Sequence, residues 1–230
     1  MKEGGFPEYL KEPDNEYLHR IFYDIMYRDV AVRHKIRQVE NLKELALFLI
    51  TNSGKKISYN KIKNIFSFGS TNTVIDYISY FVDSYLFFLL PKFDFSLKKQ
   101  IVNERKIYCI DAGLSSVNSA SFSDDVGRKL ENVVFLFLRD KFHDIFYYSN
   151  KHECDFVVRK RHDEFMLVQV CHELNNDNID RELDGLLEAM ESLNTKEATI
   201  VTLNQKDSVS KKGTDIQVLP FFEFVESFKP

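Results

Sequence analysis

Tryptophan is absent from this sequence, and long apolar runs and paired cysteines are missing as well. No window approaches the roughly 18 uninterrupted apolar residues that a bilayer-spanning helix needs, and the first residues lack the apolar region of a signal peptide. Cys109, Cys154 and Cys171 form no CxxC pair and lie in apolar, strand-like runs, so we expect reduced, buried thiols rather than disulfides or a zinc site. These absences predict a cytoplasmic protein without a membrane partner.

The residues that are present are typical of a folded protein with two parts. Aromatic residues make up 14% of the chain and charged residues 29%, which excludes an intrinsically disordered protein. Residues 1–107 contain 17 Lys and Arg against 13 Asp and Glu, whereas residues 108–230 contain 14 against 22. A length of 230 residues is sufficient for two ordinary domains. We therefore expect one domain over residues 1–107 and a second over residues 108–230.

The first of these domains has the pattern of a winged helix-turn-helix. Two strand-like runs, residues 86–90 and 106–110, enclose a loop that contains lysines. Helices that are separated by Gly-containing turns, followed by such a strand pair, are the element order of a winged helix. Amphipathic spacing predicts the helices over residues 16–30, 42–50, 59–65 and 71–86.

A basic stretch within the first domain suits nucleic acid or an acidic protein surface, although a solvated helical face is the simpler alternative. Residues 28–63 contain nine Lys and Arg against three acids. The helix over residues 71–86, which takes the place of a DNA-reading helix, contains no Lys or Arg, so we expect any DNA binding to be non-specific. The residues expected to contact phosphates are Arg33, Lys35, Arg37, Lys55, Lys56, Lys61, Lys63, Lys98 and Lys99.

The second domain follows the element order of a restriction-endonuclease-like core with a mixed sheet, which makes the expected fold α+β overall. Residues 115–123 are rich in serine and predict a loop, and Ser123 is expected to cap the helix that follows. Periodicity predicts helices over residues 126–141 and 179–193 and from residue 221, with strands over residues 145–149, 154–159, 165–171, 198–203 and 216–219.

Two neighbouring strands of this domain contain part of a PD-(D/E)xK nuclease motif. In such nucleases one strand supplies Asp and the next supplies Glu-x-Lys, so that two carboxylates hold Mg²⁺. Here Asp155 is present, but the second motif is Gln169-Val170-Cys171. Strand alternation places Gln169 and Cys171 on one face, and pairing of the strands brings Asp155 toward Gln169 while Glu131 approaches from the preceding helix. We expect a vestigial catalytic site made of these four side chains.

The residues at positions 169 and 171 remove chemistry that a nuclease needs. A neutral amide is a weak ligand for Mg²⁺, and a thiol has no positive charge with which to stabilise the transition state. Glu131 and Asp155 are therefore expected to hold a metal ion weakly or not at all. Replacement groups such as Arg159 or Glu173 leave an active Mg²⁺-dependent DNA nuclease as the main alternative. A third interpretation is a protein-interaction module.

Motifs distributed over most of the chain carry a family resemblance: Gly4-Gly5-Phe6-Pro7-Glu8, Tyr27-Arg28-Asp29-Val30, Ile57-Ser58, Ser70-Thr71-Asn72-Thr73-Val74, Lys106-Ile107-Tyr108, Asp111-Ala112-Gly113-Leu114, Leu130-Glu131-Asn132 and Cys154-Asp155-Phe156. As a set they resemble the C-terminal region of a prokaryotic family of AAA-type ATPases that have a winged helix and then a restriction-endonuclease-like domain.

The resemblance implies that an ATPase domain precedes the Gly-Gly-Phe-Pro segment. This sequence contains no GxxxxGK[ST] phosphate-binding loop, so ATP and Mg²⁺ are expected to bind upstream and not in this chain. The expected function is that of a non-catalytic ATPase C-terminal part that engages DNA non-specifically or binds a protein partner.

Overall fold

A computed structural model describes residues 3–120 and 125–229 of the chain, which divides into two compact units. The first unit contains the residues up to Leu90 together with Glu104–Asp125, and the second contains Pro91–Asn103 together with the residues from Val126 onward. The division differs from the expected boundary at residue 107, because residues 91–103 belong to the second unit and residues 108–120 to the first. The expected cap at Ser123 lies outside the described residues.

Helices and strands occur in both units, and the predicted α+β class with a mixed sheet is confirmed. The helices are α1 (Pro7–Lys11), α2 (Asn15–Asp24), a π-helix (Ile25–Val32), α3 (Val39–Thr51), α4 (Tyr59–Ile65), α5 (Thr71–Asp83), α6 (Leu97–Val102), α7 (Ala112–Asn118), α8 (Val126–Lys141), α9 (Ile179–Leu193) and α10 (Phe221–Glu226). The strands are β1 (Lys56–Ile57), β2 (Phe87–Pro91), β3 (Arg105–Cys109), β4 (Ile145–Ser149), β5 (Glu153–Arg161), β6 (Glu164–Val170), β7 (Ala198–Thr202), β8 (Asp207–Lys211) and β9 (Thr214–Pro220).

The first unit packs its helices around one apolar core and carries a small sheet of order β1-β3-β2. Side-chain caps define two of its helix starts, since Asp14 accepts from the Glu16 N–H at 2.9 Å and Ser70 accepts from the Thr73 N–H at 3.1 Å. The predicted loop over residues 115–123 is wrong in its first part, because α7 continues to Asn118.

Asp111 joins α7 to the N-terminal segment. Its carboxylate caps α7 by accepting from the Leu114 N–H at 2.8 Å, and it also accepts from the Gly5 N–H at 2.6 Å. Gly4 has φ of +70°, and a Cβ there would lie 2.2 Å from Asp111 Oδ1, so the approach requires glycine. Two of the motifs that carried the family resemblance are therefore in direct contact.

The second unit is built on a six-stranded sheet of order β4-β5-β6-β7-β9-β8. β4, β5 and β6 are antiparallel, β6 pairs in parallel with β7 and β7 with β9, and β8 closes the edge in antiparallel. One face packs against α9, whose Leu183 and Leu186 contact the cluster that contains Val157. The opposite face meets α8, where Phe135 stacks on Phe156 with ring centroids 6.3 Å apart. This arrangement places α8 and α9 on opposite faces of β5 and β6.

None of the helices in the described residues is long and apolar enough to cross a membrane.

Candidate functional site

A bulge in β5 sets the position of Asp155. Phe146 of β4 pairs with Val157 and Tyr148 pairs with Cys154, so two steps along β4 correspond to three along β5. Cys154 and Val157 consequently lie in one apolar cluster, although simple strand alternation would place them on opposite sides of the sheet. The physical reason is that an inserted residue reverses the alternation of side chains beyond it.

Beyond the bulge, side chains replace the backbone ladder between β5 and β6. The last regular pair before this point is Phe156 with Val168. The carboxylate of Asp155 then accepts from the Val170 N–H at 3.0 Å, and Oε1 of Gln169 accepts from the Asp155 N–H at 3.1 Å. The side chains of Asp155 and Gln169 therefore connect the two strands by hydrogen bonds where the regular backbone pairing ends.

Glu182 of α9 completes this arrangement. Its Oε2 accepts from Nε2 of Gln169 at 2.6 Å, and its Oε1 accepts from Nε of Arg181 at 3.1 Å. Glu182 is only 3% exposed, and a buried carboxylate needs such partners because its charge has lost its water. The approach of α9 depends on Gly185, where a Cβ would lie 1.9 Å from the carbonyl oxygen of Glu153.

These groups line a cavity of about 440 Å³ in the second unit. Carboxylates, an amide and cations share its wall, so its chemistry is polar and mixed in charge. The lining residues are Glu131, Lys151, His152, Glu153, Asp155, Gln169, Val170, Arg181 and Glu182. Three of the four predicted site residues, Glu131, Asp155 and Gln169, are thereby brought together.

The fourth predicted residue, Cys171, is buried just after β6. Burial, together with the nearby negative charges of Glu182 and Asp155, raises the pKa of this thiol to about 12. The side chain is consequently a neutral thiol near neutral pH and provides neither a positive charge nor a thiolate nucleophile.

The donor set does not fit the Mg²⁺ ion that the nuclease resemblance implies. Across residues 3–120 and 125–229, no group of three or more His, Cys, Asp and Glu side chains is arranged to hold a metal ion. Gln169 uses both ends of its amide in hydrogen bonds to protein, and Arg181 already supplies a cation to Glu182. Of the two proposed replacement groups, Arg159 instead forms a 2.6 Å ion pair with Asp144.

Glu182 and Arg181 are the site residues that the sequence analysis missed. A signal was present, because Glu182 lies three residues after Ile179 and four before Leu186, on the apolar stripe of an otherwise amphipathic helix. A carboxylate in such a position is buried and must find partners there. The sequence therefore predicted the helix but not the part that its buried acid plays in the site.

The predicted phosphate-contacting residues are divided between the two units. Arg33, Lys35 and Arg37 lie in the connection to α3, Lys55 and Lys56 lie at β1, and all five are exposed. Others belong to helices. Lys61 and Lys63 lie on α4 of the first unit, whereas Lys98 and Lys99 lie on α6 of the second.

Comparison with known proteins gives a family but no activity. Residues 1–123 match the family described as "Domain of unknown function (DUF8612)". The chain is 36% identical to uncharacterized protein MJ1544 of Methanocaldococcus jannaschii, over 97% of this chain and 54% of that protein. It is 30% identical to an uncharacterized protein of Haemophilus influenzae, over 81% of this chain and 48% of that protein. The chain thus spans about half the length of the curated relatives it matches.

No solved structure matches the chain significantly. Because the matched segment covers more than half of the 230 residues, the chain belongs to the DUF8612 family.

Proposed function

We propose that this chain is the non-catalytic C-terminal part of an AAA-type ATPase, in which a winged-helix unit engages DNA non-specifically or a protein partner and a nuclease-like unit does not cleave. The single observation that carries the absence of catalysis is the bonding of Gln169, whose amide joins the Asp155 N–H to the carboxylate of Glu182. A residue used in this way holds the protein together rather than a metal ion.

The element order of the first unit supports the winged helix. α3, β1, α4, α5, β2 and β3 occur in this order, with α6 of the second unit between β2 and β3, and β3 lies between β1 and β2 in the sheet. In a winged helix the position of α5 is that of the groove-facing helix. α5 lacks Lys and Arg, so the exposed cations that precede it in the chain, from Arg33 to Lys61, are the groups that would contact phosphates.

The second unit supports a nuclease-like origin through its topology. An antiparallel β4-β5-β6 segment continues in parallel through β7, with α8 and α9 on opposite faces. Glu131, Asp155 and Gln169 line one cavity, as the motif predicts. The missing charges at residues 169 and 171 are what separate this site from a catalytic one.

The ATPase assignment rests on the sequence resemblance and on the length of the relatives. Both relatives contain about as many residues outside the match as within it, which leaves room in those proteins for a further domain. A GxxxxGK[ST] loop outside the matched part of these relatives, together with ATP hydrolysis by the relatives, would support the assignment. Absence of that loop from the rest of their sequences would oppose it.

An active nuclease is the second candidate because Glu153 and Glu182 line the cavity together with Glu131 and Asp155, which makes four acidic residues on its wall. The two candidates are separated by incubating the chain with supercoiled, linear and branched DNA in the presence of Mg²⁺ or Mn²⁺. The proposed function predicts that all three DNAs remain intact. Metal-dependent cutting that is lost in Asp155→Ala would establish the nuclease instead.

A further inference from the structure

The connection between β2 and β3 exposes an unusual amount of apolar surface. Four large apolar side chains within eight residues are between 60% and 77% exposed, namely Phe95, Leu97, Ile101 and Val102. Together they expose on the order of 400 Å², which is within the range of the largest apolar patch on a typical monomer, a patch that is often functional. Two lysines, Lys98 and Lys99, are exposed among them. We name residues 95–102 the wing surface.

The wing surface follows a segment, at Phe93, that is packed and hydrogen-bonded within the second unit. The Phe93 N–H donates to the Tyr147 carbonyl at 2.7 Å, and the Phe93 ring packs edge-to-face on Phe146 with centroids 5.5 Å apart. Gln100 of α6 also connects the wing surface to the residue that precedes it, because its Nε2 donates to the Asp94 carbonyl at 2.6 Å. Because Phe93 is buried, the apolar side chains that follow it are presented from an anchored segment.

The area and the charge of the wing surface limit what it can bind. A stable interface between two folded proteins needs about 800 Å² from each partner, roughly twice what these side chains offer. A second copy of the chain is therefore a poor occupant. Residues 92–103, the part of this connection that lies in the second unit, contain three Lys against one Asp, so the occupant should be anionic.

Nucleic acid and lipid headgroups are both anionic, and the apolar side chains decide between them. Phosphate and sugar contacts of duplex DNA are made by charged and polar groups, whereas this surface exposes four aliphatic and aromatic side chains and only two lysines. At a bilayer surface, apolar side chains enter the boundary between headgroups and acyl chains while lysines approach the anionic headgroups. We propose that the wing surface binds an anionic lipid surface peripherally. The expectation of no membrane partner rested on the lack of spanning segments, which a peripheral contact does not need.

The absence of tryptophan provides a direct test. Phe95→Trp places the single indole of the protein on the wing surface, and Phe222→Trp places a single indole at another exposed phenylalanine, on α10. With vesicles of equimolar phosphatidylcholine and phosphatidylglycerol, we expect a blue shift of the emission for Phe95→Trp and none for Phe222→Trp. Absence of a shift in Phe95→Trp overturns the proposal.

Charge and apolar contacts are then separated by vesicle co-sedimentation. Lys98→Gln with Lys99→Gln should weaken binding roughly thirtyfold, whereas the matched control Lys196→Gln should not change it. Leu97→Ser with Ile101→Ser should reduce binding to background without changing the circular dichroism of the protein. Equal binding by this double variant overturns the proposal. A blue shift of Phe95→Trp on addition of duplex DNA, with none on addition of vesicles, assigns the surface to nucleic acid and also overturns it.

Discussion

Gln169 donates a hydrogen bond from Nε2 to Oε2 of Glu182 over 2.6 Å, and both side chains are buried. The other end of the same amide accepts from the Asp155 N–H. An amide can donate and accept at once, whereas an ionised carboxylate only accepts. Gln169 thus weakens the nuclease motif, but its amide satisfies the hydrogen-bonding groups of both neighbours, the Asp155 N–H and the Glu182 carboxylate.

Introducing the motif glutamate should therefore destabilise the protein. Gln169→Glu places two acceptors opposite each other in a buried pair, and we expect the free energy of unfolding to fall by about 2–4 kcal/mol. The exchange Gln169→Glu with Glu182→Gln again provides one donor and one acceptor, so it should recover most of the loss. Urea unfolding of the two single variants and the double variant measures this. Losses that simply add would show that the two side chains do not interact.

Gly185 is expected to be intolerant of a side chain because α9 lies directly on the start of β5. A Cβ would meet the Glu153 carbonyl oxygen at 1.9 Å, so Gly185→Ala must displace the helix or the strand. We expect a loss of about 1–3 kcal/mol in unfolding free energy. Gly69→Ala is the matched control, since nothing lies within 4 Å of its added carbon. Equal stability of the two variants would contradict the close contact.

Cys171 should make stability fall at alkaline pH. Its pKa is raised from 9.0 to about 12 by burial and by Glu182 and Asp155, so between these values the unfolded chain loses a proton that the folded protein keeps. Its contribution is fully present below pH 9 and is lost as pH rises toward 12. Cys171→Ala should flatten the decline by at most about 1.4 kcal/mol per pH unit. Identical slopes of unfolding free energy against pH, above pH 9, in the wild type and in Cys171→Ala would show that the folded protein does not shield this thiol from solvent.

Any DNA binding should be electrostatic and located at the basic stretch. Lys55 and Lys56 are both exposed, so Lys55→Glu with Lys56→Glu should weaken binding to duplex DNA at low salt. The slope of log affinity against log salt should decrease by about 0.9 for each phosphate that the variant no longer neutralises. Lys196→Glu serves as the control for a change in net charge. Full affinity in the double variant would remove this stretch as the binding surface.

The spacing of apolar residues predicted most helices and strands, because an element that buries one face repeats its apolar residues at its own structural period. The helix over residues 179–193 and the pairing of β5 with β6 are confirmed. The π-helix was missed, because its apolar residues follow a spacing close to that of an α-helix. β8 was missed because Val209 is its one large apolar residue, as suits a solvent-facing edge strand.

The candidate site was predictable only in part. Glu131, Asp155 and Gln169 follow from a motif, but the bulge that aims Asp155 depends on the register of β4 against β5, which local spacing does not encode. Glu182 enters the site through the close approach of α9 at Gly185, a tertiary contact between segments about 30 residues apart. Sequence reasoning therefore identified the strands of the site but not the helix that completes it.

The most direct measurement is a calorimetric titration of the protein with Mn²⁺ in the absence of DNA. With Gln169 bonded to Asp155 and Glu182, we expect no saturable binding to the wild-type chain, and measurable binding to Gln169→Glu, which adds a carboxylate beside Asp155. Asp155→Ala is the control for binding elsewhere on the surface. Saturable Mn²⁺ binding by the wild-type chain that disappears in Asp155→Ala would contradict a site that has lost its metal.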